Sequence, residues 1–489
     1  MRKAEEETDT LPARPFKRQR TGYIDHNPSV GKVARYEPKQ RSNLREPYSG
    51  LSDHVPPTLL DETLCQLRYN LETITPAPAD SRCFYRFRAA ATENFPHEED
   101  RRRMLSMILY EGGITPGLVT RNFIEPTLNY DDGDLRVLLS SHPIEVIYYI
   151  QQPKLQPSPN SSDPYSKAFH YWLENVRYVL AETDARDIQS DVINFPVVFL
   201  LHYGTHIAIA AAVYGCRPST EILGVIPLLH VHPTNISQLN AGARPFAALR
   251  VALHALRARY SNILTERRTR SDFPFRDFYV DDDGKKHSLT YREEIEDKRI
   301  YCATDEDGNA LCVKFSVRYS EEAHRFAHSA GFAPKLYAVN KVYDWFMVVM
   351  EDKSAEYPKT LWDIKQKVQM EQRRRRNQIL RPTRDLHSME QAQAEVKKIL
   401  RLVTLHNGGF VHGDIRDVNV LVRKEGAPGE GPAILVVDWD WAGTMGKAVY
   451  PFSMNPDIKR PPGAATSAPI EAAHDDWMAN NLLYMSEDD

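Results

Sequence analysis

Three stretches carry residue types whose order and spacing suit phosphoryl transfer. In FVHGDIRDVNVLV, residues 410–422, a polar turn with His412, Asp414 and Asn419 lies between apolar runs. In ILVVDWDWAG, Asp438 ends an apolar strand one short hairpin later, and upstream LCVKF places Lys314 inside a strand-like run. Phosphoryl transfer needs a cation for the nucleotide phosphates, hard oxygen ligands for magnesium, and a base beside the acceptor hydroxyl. Lys314 meets the first need. Asn419 and Asp438 are the candidate metal ligands, Asp414 the base, and His412 the brace of the turn. Glu321 or Glu322, just after the lysine strand, is the candidate ion-pair partner of Lys314, with Glu322 preferred. Asp440 offers a second metal contact or only a hydrogen bond. Taken singly, these are a strand lysine, a helix-face charge and turn aspartates; order and spacing lift them.

The elements that must position them follow from patterning. SLTYR, RIYCAT and ALCVKFSVRY read as strands, with Asp-Gly hairpin chemistry in EDGN between the second and third. SEEAHRFAHSAG reads as a helix from a Ser N-cap to Gly331. LYAVNKVY and WFMVVMED are two further strands. The result is five strands with a helix after the third, the layout of a kinase N-lobe. QAQAEVKKILRLVTLHNGG is the helix expected beneath the polar turn, and the loop KEGAPGEGP joins the two strands that bear Asn419 and Asp438. EQRRRRNQILRPTR is a basic insertion, read first as a solvated face and second as a contact for an acidic partner or nucleic acid. No G-x-G-x-x-G lies between the first two strands, where YREEIEDKR is acidic and glycine-free.

VKFSVRYSEEAHRFAHSAGFAPKLYAV, GFVHGDIRDVNVLV, VVDWDWAG and the tail VYPFSMNPDIKRPPGAA with HDDWM resemble the fungal-type protein kinase domain of basidiomycetes, over about 275–489. HGD and DWD are also similar to the loops of aminoglycoside and choline kinases. The resemblance implies ATP and magnesium binding and transfer to Ser/Thr or another hydroxyl. It places Lys314, Met350, Glu351, Asn419 and Asp438 around the nucleotide, with Lys314, Glu322, His412 and Asp414 as the catalytic set. The stretch after Asp438 is short for a full C-lobe and lacks an A-P-E signature. A pseudokinase scaffold that binds partners through its N-terminal part is therefore the alternative.

The fold expected is α+β: a protein-kinase-like two-lobed domain over 286–489, with a five-stranded sheet and a short helical lobe. A separate α/β domain over 51–265 and a linker over 266–285 precede it. Residues 1–50 carry eleven Lys/Arg, seven Asp/Glu and five Pro and read as a disordered tail. Within it RPFKRQR, Arg14 to Arg20, is a solvated charge cluster or a nuclear localisation patch. The N-terminal domain weakly resembles a degenerate PD-(D/E)xK nuclease-like domain. Asp134 and Glu145 would be its carboxylates, but Ile147 stands in place of the lysine and Lys167 where similar proteins often have Gln. Partner binding or regulation is the plainer expectation for this domain. His202, His206, His230 and His232 read as strand histidines.

With 42% hydrophobic residues, 26% charged and a formal net charge of −4, the chain is not basic throughout, so nucleic acid is an improbable partner. The partner expected is an unknown protein or other hydroxyl-bearing substrate. Five scattered cysteines without a CxxC pair suggest a reducing compartment, cytoplasmic or nuclear. The charged start MRKAEEETDT lacks the apolar core of a signal peptide. FPVVFLLHYGTHIAIAAAVYG is broken by His202, Gly204 and His206, and reads as a buried hairpin turning near Tyr203-Gly204 rather than a membrane span.

Overall fold

The computed structural model describes residues 55–93, 95–121, 133–138, 144–152, 163–182, 194–215, 218–229, 232, 234–239, 241–261, 273–295, 299–374, 384–398, 405–426 and 431–483. The expectations for the tail 1–50 with RPFKRQR, for His230 and for most of EQRRRRNQILRPTR lie outside the described residues. The architecture is mixed α and β, with two six-stranded sheets.

Among the described residues the N-terminal part opens with four helices: α1 (Pro57–Leu60), α2 (Glu62–Thr73), α3 (Pro78–Ala91) and α4 (Glu98–Glu111). Asp61 starts α2 by accepting from Leu64 N at 3.1 Å. Helix α3 escaped sequence reading because arginines interrupt its apolar side, yet Cys83, Phe84, Phe87 and Ala90 all turn inward. The first sheet runs β1 (Thr120–Arg121), β2 (Gly133–Leu138), β3 (Glu145–Gln152), β4 (Val197–Tyr203), β5 (His206–Tyr214) and β6 (Pro218–Pro227), in spatial order β1-β2-β3-β4-β5-β6. The β3–β4 pair is parallel and needs a crossover, which α5 (Pro164–Glu182) supplies. The apolar run Phe195–Gly215 is the expected hairpin: Tyr203 pairs with His206 and Gly204 takes φ 57 in the turn. Helices α6 (Ile236–Leu239) and α7 (Ala243–Ser261) complete this part. Among the described residues no helix is long and apolar enough to cross a membrane.

The second sheet contains β7 (Phe278–Val280), β8 (Lys286–Ile295), β9 (Ile300–Asp305), β10 (Ala310–Ser316), β11 (Leu336–Val342) and β12 (Trp345–Glu351), ordered β11-β12-β10-β9-β8-β7. It has one strand more than the five expected. The extra strand, β7, lies in the stretch read as a linker. Within that stretch, DDDGK (281–285) is the β7–β8 turn. Asp281 Oδ1 accepts there from Asp283 N at 3.0 Å and Lys285 N at 2.8 Å, with Gly284 at φ 80. Helix α8 (Glu321–Ser329) follows β10, N-capped by Ser320 as expected. The remainder comprises β13 (Lys359–Thr360), α9 (Leu361–Arg374), α10 (Arg384–Lys398), β14 (Phe410–Val411), β15 (Val420–Val422), β16 (Ile434–Val436), β17 (Gly443–Thr444) and α11 (Ala472–Asn480).

Side chains alternate across β10. Leu311, Val313 and Phe315 point to one face, where with Tyr301, Met347 and Val349 they join the apolar cluster of the N-terminal part. Lys314 points to the other. The junction is also polar: Phe275 N donates to Leu59 O at 3.0 Å, and Arg68 reaches Asp344 at 3.4 Å while lying over Trp345.

Candidate active site

The Lys314 face of β10 meets the β14–β15 loop and the end of β16. Lys314 is 7% exposed, and its Nζ donates to Asp438 Oδ1 and Asp440 Oδ1, both at 2.7 Å. Burial alone would lower the lysine pKa, but the two carboxylates outweigh it and hold the ammonium well above its ordinary value. Burial likewise opposes the charge on Asp438, and Lys314 overcomes it, so that carboxyl lies below the usual carboxylate range. In Asp440 the balance reverses: burial, with the Asp438 charge beside it, outweighs Lys314 and lifts the carboxyl. Ser316 Oγ also donates to Asp440, at 2.7 Å. Asp438 takes φ 71, a conformation that aspartate tolerates better than most residues and that turns it directly out of β16.

The loop after β14 is built around His412, Gly413 and Asp414. His412 is fully buried. Its Nδ1 accepts from Asp414 N at 3.2 Å, which leaves Nε2 to donate to Val437 O at 3.2 Å. It thus braces the loop against the residue before Asp438, the role expected of it. Gly413 adopts φ 80, with Ile470 only 2.7 Å from where a Cβ would stand. Asp414 accepts from Arg416 through both oxygens at 2.7 Å and from Arg460 Nη1 at 2.5 Å. Asn419 Nδ2 donates to Asp414 O and Oδ2 at 2.9 and 3.0 Å, and Val437 N donates to Asn419 O at 3.0 Å. Beneath the loop, the buried Asp475 of α11 accepts from His412 N and Gly413 N, each at 2.7 Å.

Lys314, His412, Asp414, Asn419 and Asp438 are therefore brought together. Glu322 is not: it is exposed at the start of α8, and Glu321 pairs with Arg325 at 2.7 Å. The Ser320 cap sets the helix so that Ala323, His324 and Ala327 face inward, and Lys314 takes its partners from the DWD segment instead. Met350, largely buried at the end of β12, pairs across the sheet with Cys312, and Glu351 with Leu311. Sequence reading passed over Arg416, Arg460 and Asp475. The only signal for the last was the first aspartate of HDDWM.

No protein-family model matches the sequence, and no curated protein matches it. Among solved structures, the BubR1 kinase domain is similar at 13% identity and a TM-score of 0.30. The match covers 42% of this chain and 64% of that one, so this chain spans less than two thirds of the domain. A likeness of that size carries no functional information.

In the N-terminal part, Asp134 is buried and accepts from Arg136 Nε at 3.0 Å, Arg136 Nη2 at 3.1 Å and Tyr171 Oη at 2.5 Å. Arg136 Nη1 also lies 3.7 Å from Glu145. A guanidinium thus stands between the carboxylates where a nuclease would hold its metal. Ile147 is core, and Lys167 is half-buried on α5.

Proposed function

We propose that this chain is an ATP- and magnesium-dependent phosphotransferase with a protein-kinase-like C-terminal half, acting on a protein Ser/Thr or another hydroxyl. The observation that carries the reading is the convergence of Lys314, Asp438 and the Asp414–Asn419 loop, each from a different element. The donor set fits magnesium: Asp438, with Asp440 beside it, offers carboxylate oxygen. Asn419, which donates through Nδ2, keeps its carbonyl oxygen as an acceptor. Bound there, the ion would neutralise phosphate charge during transfer. Lys314 would hold nucleotide phosphate oxygens, and Met350 with Glu351 would border the adenine. Asp414 would orient the acceptor hydroxyl and take its proton, held by Arg416 and Asn419.

One observation favours the pseudokinase scaffold as a second reading. Asp414 is already engaged by two guanidiniums, so an acceptor must displace Arg460 to reach it. Calorimetric titration of ATP with and without magnesium, on the wild type and on Asp438→Ala, separates the two. Magnesium-dependent binding abolished by Asp438→Ala supports the enzyme. No binding up to about 1 mM ATP, the upper end of ordinary substrate affinities, sinks it.

A further inference from the structure

Two cysteines stand side by side on the Lys314 face of the second sheet. Cys312 of β10 is the direct cross-strand partner of Cys302 on β9, and Met350 of β12 flanks Cys312 on its other side. Both thiols are free and partly exposed.

The hydrogen-bond alternation tells what kind of pair they form. In this register Phe315 N donates to Arg299 O at 3.0 Å and Asp305 N to Asn309 O at 3.3 Å. Odd-numbered pairs of β9 and β10 are therefore the hydrogen-bonded ones, and Cys302–Cys312 falls on a non-hydrogen-bonded position. There the Cα atoms approach to about 4.5 Å and the side chains lean together. That separation lies inside the range of about 4.4–6.8 Å which disulfides span. The other described cysteines have no such neighbour: Cys83 gives its thiol hydrogen to Ile108 O at 3.4 Å, and Cys65 is buried in α2.

We propose that Cys302 and Cys312 form a dithiol that closes reversibly to a cross-strand disulfide on the nucleotide-facing side of the sheet. Its effect on nucleotide binding rests on the phosphotransferase reading above; the disulfide itself does not. With glutathione disulfide as oxidant, the Cys302 thiolate attacks one glutathione sulfur and displaces glutathione thiolate, leaving a mixed disulfide. The Cys312 thiolate then attacks the Cys302 sulfur and displaces the second glutathione. Two protein thiols are oxidised and one glutathione disulfide is reduced to two thiols.

The resting form is the dithiol. Burial, aided by the Asp352 charge, raises Cys302 and pushes Cys312 up to about 12. Thiolate is scarce at neutral pH, so closure is slow there and quickens about tenfold per pH unit. Bridging would draw the sulfurs to about 2.05 Å apart and bind β9 to β10 beside Met350 and Lys314.

The test treats the full chain with glutathione disulfide at alkaline pH, blocks residual thiols with N-ethylmaleimide, and digests with trypsin. Residues 300–314, the segment bounded by Arg299 and Lys314, contain both cysteines. The expected result is this peptide free of maleimide and two hydrogens lighter, taking up two maleimides only after reduction. Cys302→Ser and Cys312→Ser should each leave the other thiol alkylated or glutathionylated. Recovery of the wild-type peptide with two maleimides, or either cysteine joined to Cys65, Cys83 or Cys216, overturns the proposal. ATP titration of the reduced and oxidised proteins follows. Weaker binding after oxidation, restored by reductant, supports the link to the nucleotide, and equal binding overturns that link. If neither form binds ATP while the disulfide forms, the phosphotransferase reading fails and the disulfide stands.

Discussion

Lys314 sits between Asp438 and Asp440, so its removal leaves two carboxylates facing each other in a largely buried pocket. Lys314→Met should destabilise the fold at neutral pH, at the low end of the about 3–5 kcal/mol typical of broken buried pairs, because Asp438 is partly open to solvent. Without the ammonium both carboxyls are lifted, and an acid held neutral in the folded state is least costly at low pH. The deficit against wild type should therefore shrink from pH 7 towards pH 4, which urea denaturation at several pH values would reveal. A pH-independent deficit would mean that the loss is one of packing. At this scale the sequence was legible where chemistry fixes type and spacing: Lys314, His412, Asp414, Asn419 and Asp438. It was silent on Arg460, whose bond to Asp414 depends on the path of the chain between β17 and α11. It misled at Glu322, because two adjacent glutamates in a first turn do not tell which way the helix faces.

The β14–β15 loop borrows its rigidity from α11. Two backbone N–H groups end on the Asp475 carboxylate, and hydrogen bonds to a charged group contribute about 1.5–3 kcal/mol each. Asp475→Ala should cost about 3 kcal/mol or more and speed hydrogen exchange at the Gly413 amide. Unchanged exchange there would show that the loop holds its own shape. Helix α8 makes a different contribution. His324 stacks on Trp439 at 5.9 Å; its Nε2 donates to Pro334 O at 2.9 Å and its Nδ1 accepts from Tyr319 Oη at 2.6 Å. Burial depresses its pKa from 6.5 to about 4, and that of His202 in β4 to about 3. Each histidine takes up a proton near pH 6.5 when unfolded but not when folded, so its contribution is intact above 6.5 and lost as the pH falls towards 4. Stability should drop by about 1.4 kcal/mol per pH unit for each histidine in that window. His202→Phe should remove one share of the slope, and an unaltered slope would reassign the effect. Strands β8 to β12 and helix α8 were readable from alternation and the Ser320 cap. The sixth strand was not, because an acidic turn and a solvated linker share one composition.

In the whole molecule the two sheets are parts of one apolar interior. Tyr301, Leu311, Val313, Phe315, Met347 and Val349 are all within 1% of complete burial and lie in the cluster that also holds Leu59, Leu64 and Val146. Exposing six such side chains would cost about 9–18 kcal/mol, as much as the entire stability of an ordinary domain. A fragment of residues 273–489 should therefore be insoluble or molten, and the full chain should unfold in one calorimetric transition. A soluble fragment with native near-ultraviolet dichroism would refute this. Helix and strand patterns identified many of the elements, though not α3 or β7, and alternation cannot say which second surface a buried face will find.

That shared interior bears on biosynthesis. The last apolar residue of the joint cluster, Val349, follows the end of α7 by about ninety residues. At about 5–20 residues per second, the ribosome takes roughly 4–18 s to deliver them. During that interval the helices and first sheet must wait with an uncovered greasy flank, so co-translational chaperones should bind the nascent chain until the Lys314 sheet arrives.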